Sequence, residues 1–246
     1  MRSPFDRRSK EQPPRPSPGE VIYAVGDIHG CSHLLAEVFK KIDADVAARR
    51  IERATEVFIG DYIDRGPDSY GVIEALSQRR RSRASVLLGG NHEAMLGQFL
   101  AKPATLPVFL QLGGLTTLLS YGVKPTGRLD ERAGERLAAE FRAALPTNHR
   151  EVLANLRYSF TSGDYFFVHA GVRPKVPLAK QAVRDFLWIR DDFLLWEESF
   201  EKFVVHGHTP VPQPDLQFNR ANIDTGAFAT GRLTVLAIDE DGHRPL

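Results

Sequence analysis

Cysteine is nearly absent: Cys31 is the single one in 246 residues, so no disulfide can close within the chain, which suits a reducing compartment. Long apolar runs are also missing. Nothing approaches the roughly 20 residues needed to span a bilayer, and the first residues lack the apolar core of a secretory signal. Charge of one sign is lacking too. Lysine and arginine number 32 against 31 acidic residues, and a net charge of +1 excludes broad electrostatic capture of nucleic acid or of a membrane surface. The expectation is a cytoplasmic chain with neither kind of partner. What is present, 42% hydrophobic and 9% aromatic residues, suffices for one large domain with a sizeable core.

Residues 1–20 hold five prolines and four arginines with almost nothing apolar, the composition of a disordered arm. A single domain is expected over 21–246. Short apolar runs at 21–25, 57–59 and 86–88 each stop at a glycine, the pattern of buried strands that deliver polar groups into a loop. Leu34, Val38, Ile42 and Val46 recur every four residues between the first two runs, and Val72, Ile73 and Leu76 follow the second, so helices are expected there. This β-α-β-α-β order predicts an α/β fold with a largely parallel sheet and its functional groups beyond the strands' carboxyl ends. Residues 94–156 read as a helical insertion broken by prolines and paired glycines. Strands at 165–168, 203–205 and 233–238 predict a second, mixed sheet packed face to face on the first. The run Arg79-Arg80-Arg81-Ser82-Arg83 reads as a solvated helix end.

Five segments sit at expected strand ends: Gly26-Asp27-Ile28-His29-Gly30, Gly60-Asp61-Tyr62-Ile63-Asp64-Arg65-Gly66, Gly90-Asn91-His92-Glu93, Val168-His169-Ala170-Gly171 and His206-Gly207-His208-Thr209. Any one of them is weak, since a lone histidine after an apolar run is usually a buried side chain with its partners satisfied. Five in order, each a glycine-flanked loop with carboxylate, imidazole or amide ligands, point to a pair of divalent cations. Oxygen and nitrogen ligands without cysteine suit manganese, iron or zinc in an open site, not a closed structural zinc. A carboxylate can bridge two metals about 3.5–4 Å apart, the separation used for in-line displacement at phosphorus.

In order and spacing, 32 residues from His29 to Asp61 and 30 from Asp61 to Asn91, these motifs resemble the phosphoprotein phosphatase family of calcineurin-like metallophosphoesterases. They are most similar to its bacterial and bacteriophage-lambda serine/threonine protein phosphatases. The resemblance implies two divalent metals, manganese foremost. Asp27 and His29 would hold one, Asn91, His169 and His208 the other, and Asp61 would bridge them. It implies that Arg65 and Arg190 (in Leu187-Trp188-Ile189-Arg190) grip phosphate oxygens beside Asn91 and His92. His92 would act as general acid with Asp64 orienting its ring, and a hydroxide shared by the metals would attack phosphorus directly. Asp224 would at most support the ligands. His206 is a weaker ligand candidate, and His33, His149 and His243, outside any motif, are expected at the surface. Gly89 departs from the arginine usual in the family at that place, and nothing matches the features by which larger relatives bind regulatory subunits, so none is expected.

The implied substrate is a phosphoprotein or phosphopeptide, with small phosphoesters also accepted. The alternative is a symmetrical diadenosine tetraphosphate hydrolase, which shares the fold and metals. Asp64 favours the former, because an alkoxide leaving group needs an oriented acid. A non-catalytic metal-binding module would be expected to lose Asp27, Asp61, Asn91 or His92, and none is lost. A nuclease is disfavoured by the near-zero net charge.

Overall fold

The computed structural model describes residues 13–246. Three strands, β1 (Val21–Val25), β2 (Ala54–Phe58) and β3 (Ala84–Leu87), pair in parallel. They alternate with α1 (Ser32–Arg49) and α2 (Ser69–Arg79). Two antiparallel strands, β9 (Val235–Asp239) and β10 (Gly242–Pro245), complete this sheet in the order β10-β9-β1-β2-β3. Period-two alternation decides which side each residue serves. Tyr23, Val25 and Phe58 face the helices, whereas Ile22, Ala24 and Val57 face the other sheet.

That second sheet runs β4-β5-β6-β8-β7, built from β4 (Ser159–Ser162), β5 (Tyr165–Val168), β6 (Phe203–His206), β7 (Asp215–Leu216) and β8 (Arg220–Asn222), with parallel and antiparallel pairs mixed. Tyr165, Phe167, Val205 and Ala221 meet Ile22, Val57 and Leu236 in the core between the sheets. The opposite face, Phe166, Val168 and Val204, is covered by α8 (Val183–Trp188) and α9 (Asp191–Leu194) through Phe186 and Phe193. The expected pair of mixed sheets is what forms. Strands β4, β7, β8 and β10 are additions that no apolar run announced.

Between β3 and β4 lie α3 (Asn91–Ala101), α4 (Leu106–Gln111), α5 (Gly114–Ser120), α6 (Glu131–Ala144) and α7 (Thr147–Ala154). Leu118, Tyr121, Phe141 and Val152 on or beside these helices share the core beneath α1 and α2. Among the described residues no helix is long and apolar enough to cross a membrane.

Three local readings are corrected. Residues 13–20 do not behave as a free arm. Arg15 N donates to Asp164 Oδ2 (3.1 Å), Ser17 N to Ser162 Oγ (3.0 Å), and Glu20 is buried where Thr55 Oγ1 donates to it (2.6 Å). The β4–β5 hairpin thus supplies partners that composition alone cannot reveal; residues 1–12 of the expected arm lie outside the described residues. His149, expected at the surface, is fully buried with one ring nitrogen 2.8 Å from the Tyr121 hydroxyl and the other 2.9 Å from Glu74. Arg79 is no solvated helix end. Its guanidinium contacts both carboxylate oxygens of Asp43 (2.7 and 2.9 Å) and reaches Glu56 at 2.6 Å, and Glu56 is only 1% exposed. Arg79→Ala is expected to cost about 3–5 kcal/mol, because Glu56 is left buried without a counter-charge. Denaturant unfolding measures the loss, and Glu56→Gln in the same background should restore part of it.

Candidate metal centre

All five motif loops converge beyond the carboxyl ends of β1, β2, β3, β5 and β6. The turns that bring them there are strained. Among the described residues seven non-glycine residues have positive φ, and five of these are His29 (44°), Asp61 (51°), Asp64 (70°), Arg65 (66°) and His208 (67°). Such conformations cost on the order of 1 kcal/mol or more each and persist where surroundings enforce them, characteristically at functional sites. Glycine is required at two points of close approach. A side chain on Gly90 would strike the Asp61 carboxylate, and one on Gly207 would strike that of Asp27.

Glu93 does much of the enforcing. Its buried carboxylate accepts from the backbone amides of Asp61 (3.0 Å), Tyr62 (2.8 Å), Ile63 (3.3 Å) and Gly90 (2.9 Å), tying the second loop to the third. Desolvation, with the Asp61 charge added, pushes its carboxyl up to about 7.

Asp61 lies between two imidazole groups. One oxygen is 3.4 Å from His169 Nε2, and the other is 3.5 Å from His29 Nε2 and 3.8 Å from His92 Nε2. Two sets of potential ligand atoms therefore share it: His29, Asp61 and His92, and Asp61, His169 and His208. Asn91 Oδ1 joins the second set, 3.0 Å from His169 Nε2 and 2.9 Å from His208 Nδ1, while those two nitrogens are 3.2 Å apart. Asp27 belongs to neither set but is 2% exposed, accepts from His208 N (3.1 Å), and has its other oxygen without a hydrogen-bond partner among the described residues.

These atoms fit cations on their own chemistry. His29 Nδ1 lies 2.9 Å from the Ile63 carbonyl and His169 Nδ1 3.0 Å from that of Ile59. A carbonyl only accepts, so both Nδ1 atoms carry the proton and both Nε2 atoms turn lone pairs inward, the orientation metal-binding histidines take. Burial keeps the rings neutral: desolvation lowers His29 and His208 to about 3 and lowers His169. Lone pairs from His169, His208 and Asn91 thus crowd one point and want a positive charge between them. The carboxylates want one as well. Desolvation and the neighbouring Asp224 and Asp61 charges drive Asp27 well upward, and desolvation brings Asp224 to about 6. Desolvation also acts against a charged Asp61, and its carboxylate lies below the usual range only through attraction to His169, His92, His29 and His208 in their protonated forms, a positive charge that neutral rings do not supply. Two divalent cations would answer both demands.

His92 is held differently. Its Nδ1 is 2.7 Å from Asp64 Oδ2, both side chains are fully buried, and its Nε2 has no hydrogen-bond partner among the described residues. Thr117, on α5, donates to Asp64 Oδ1 (2.6 Å) and also accepts from the Asp64 backbone amide (2.9 Å). No motif or spacing pointed to Thr117, which lies 53 residues from Asp64. Arg65 and Arg190 are both exposed beside the ligand set. Arg65 Nη1 is 3.2 Å from His29 Nε2, its guanidinium lies 5.1 Å from the exposed Phe228 ring, and the charge of Arg190 acts on His169, His208 and Asp224. His206 stays outside: it is buried against Phe193 and its Nδ1 is 3.1 Å from the Gly207 carbonyl.

The chain is similar to known proteins along most of its length. A bis(5'-nucleosyl)-tetraphosphatase PrpE [asymmetrical] of Anoxybacillus flavithermus is 29% identical over 242 residues, covering 89% of this chain and 91% of that protein. The protein of the same name in Halalkalibacterium halodurans is 25% identical, with 88% and 89% covered. Among solved structures, a candidate diadenosine tetraphosphatase superposes with a TM-score of 0.63 at 20% identity, covering 94% of this chain and 95% of that one. A Saccharomyces cerevisiae serine/threonine phosphatase similar to human phosphatase PP5 gives 0.55 at 15%, with 93% and 80% covered; at these identities both show the fold alone. The profile of the Calcineurin-like phosphoesterase family matches residues 21–236, and the chain belongs to that family of metal-dependent phosphoester hydrolases.

Proposed function

We propose that the chain hydrolyses a bis(5'-nucleosyl) tetraphosphate at a centre of two divalent cations. The observation that carries this reading is that Arg65, beside His29, and Arg190, whose charge acts on His169 and His208, have no carboxylate partner among the described residues. Two guanidiniums left free beside the ligand set fit a substrate whose negative charge extends beyond one phosphoryl group. Relatives named for that activity along nearly the whole chain support it. In this it departs from the phosphoprotein preference drawn from the motifs.

Asp27, His29 and Asp61 would hold one cation, and Asp61, Asn91, His169 and His208 the other. Together they would make a nucleophile available near neutral pH and offset charge at phosphorus. The chain's own groups do the rest. Arg65 and Arg190 neutralise and align the phosphate oxygens. His92 presents its free Nε2 to the leaving oxygen, with Asp64 fixing the opposite nitrogen. Manganese is the first metal to test.

A second reading, a phosphoserine or phosphothreonine phosphatase, is favoured by the 2.7 Å His92–Asp64 pair, since a poor leaving group gains most from a positioned acid. Comparing kcat/KM for diadenosine tetraphosphate and a phosphothreonine peptide, both with manganese, decides between them. The dinucleotide should win by at least tenfold; preference for the peptide by a hundredfold overturns the proposal.

A further inference from the structure

Beside the ligand set, α8 and the residues after it open a groove of about 600 Å³, within the roughly 300–1,000 Å³ range of small-molecule sites. Its wall nearest the metal centre is Trp188, 39% exposed, whose ring stands 6.3 Å from that of His208. Ile189 is buried among Phe186 and Phe193, so its neighbours Trp188 and Arg190 are both left on the open side, lining the groove. Arg190 thus belongs to the groove and, through its charge, to the metal centre.

The groove's chemistry is specific. Arg173, Arg184 and Arg190 are balanced by Asp185, Asp191 and Asp192, and Arg173 already pairs with Asp185 (2.7 Å) and Asp192 (2.9 Å). Such a slot has no net charge with which to draw a phosphate chain along its length. It suits a neutral, flat group tethered to a phosphate that Arg190 holds. Among the described residues no cation covers the Trp188 ring, whereas the other exposed ring at the site, Phe228, is occupied by Arg65. Arg184 and Asp191, in no salt bridge among the described residues, offer a donor to a base edge and an acceptor to ribose hydroxyls.

We infer that this groove seats one nucleoside of the substrate, its base stacked on Trp188 and its phosphate at Arg190. Trp188 is then a specificity-determining residue. The inference rests on the proposed nucleotide substrate but is tested apart from it. With p-nitrophenyl phosphate as reporter, adenosine 5'-monophosphate and inorganic phosphate are compared as competitive inhibitors of the manganese-loaded enzyme.

The nucleotide should bind about tenfold more tightly than phosphate, the typical worth of stacking one base. Trp188→Ala should erase most of that ratio and Trp188→Tyr should keep most of it; because it is a ratio, a general loss of activity cancels. Should the alanine protein not fold, Trp188→Leu fills the space without a π-face and should give the same result. A ratio near one in the wild type, or one unmoved by Trp188→Ala and Trp188→Leu, overturns the inference. If diadenosine tetraphosphate is nevertheless turned over efficiently, the proposed function stands without this seat. A tenfold ratio that Trp188→Ala abolishes, with no turnover of the dinucleotide, keeps the seat and sinks the dinucleotide reading.

Discussion

Asp61→Asn lowers kcat/KM by at least about 10⁴-fold, a barrier increase of roughly 5.5 kcal/mol. One Asp61 oxygen serves His169 at 3.4 Å and the other His29 at 3.5 Å, so the carboxylate is the only group shared by both ligand sets. An asparagine puts an NH₂ where one set needs a lone pair, which repels a cation there instead of binding it. Metal analysis of the dialysed proteins should find two ions per wild-type chain and at most one in the variant. Stability should report the same loss. A ligand at a hundredfold its Kd adds about 2.7 kcal/mol, so manganese should raise the wild-type Tm clearly and the variant's far less. Full activity with two ions retained in Asp61→Asn would remove Asp61 from the bridge.

His92→Asn should cost about 10²–10⁴-fold in kcat, the usual share of a general acid, while leaving two bound ions. The loss should be at the upper end for a phosphothreonine peptide and smaller for a tetraphosphate, whose leaving group needs less protonation. Asp64→Asn should also slow the enzyme and, in addition, change its pH profile. Burial disfavours the charged His92 ring, but the Asp61 and Asp64 carboxylates outweigh it and raise the pKa above its ordinary value. The acid form is then lost only as pH climbs through that raised pKa. Taking away the Asp64 charge lowers it, so the alkaline limb of kcat should move to lower pH. A limb that stays in place, or moves upward, would separate His92 from the proton transfer.

Much of the candidate centre was legible because each candidate ligand is a local event. A short apolar run buries itself as a strand, a glycine lets the chain turn, and Asp27, Asp61, Asn91, His169 and His208 follow at once. The positive φ values of His29, Asp61 and His208 are the price of those turns. The supports were not legible. Thr117 reaches Asp64 across 53 residues, and Glu93 binds three amides some 30 residues away, distances at which no periodicity or motif carries information. His149 and Arg79 were misread for the same reason: a polar side chain is buried or exposed according to the partners the fold brings to it.

By itself, then, the sequence determined the fold class, the order of the candidate ligands and the hydrolytic chemistry they can support, since these depend on residue type and spacing along the chain. Only the tertiary structure decided that residues 13–20 lie on the second sheet, that Arg65 and Arg190 have no carboxylate partner among the described residues, and that Trp188 opens onto a charge-balanced groove. Those facts arise where α5, α8 and the β4–β5 hairpin meet loops distant in sequence, and contact between remote segments exists only once both sheets have closed on their shared core.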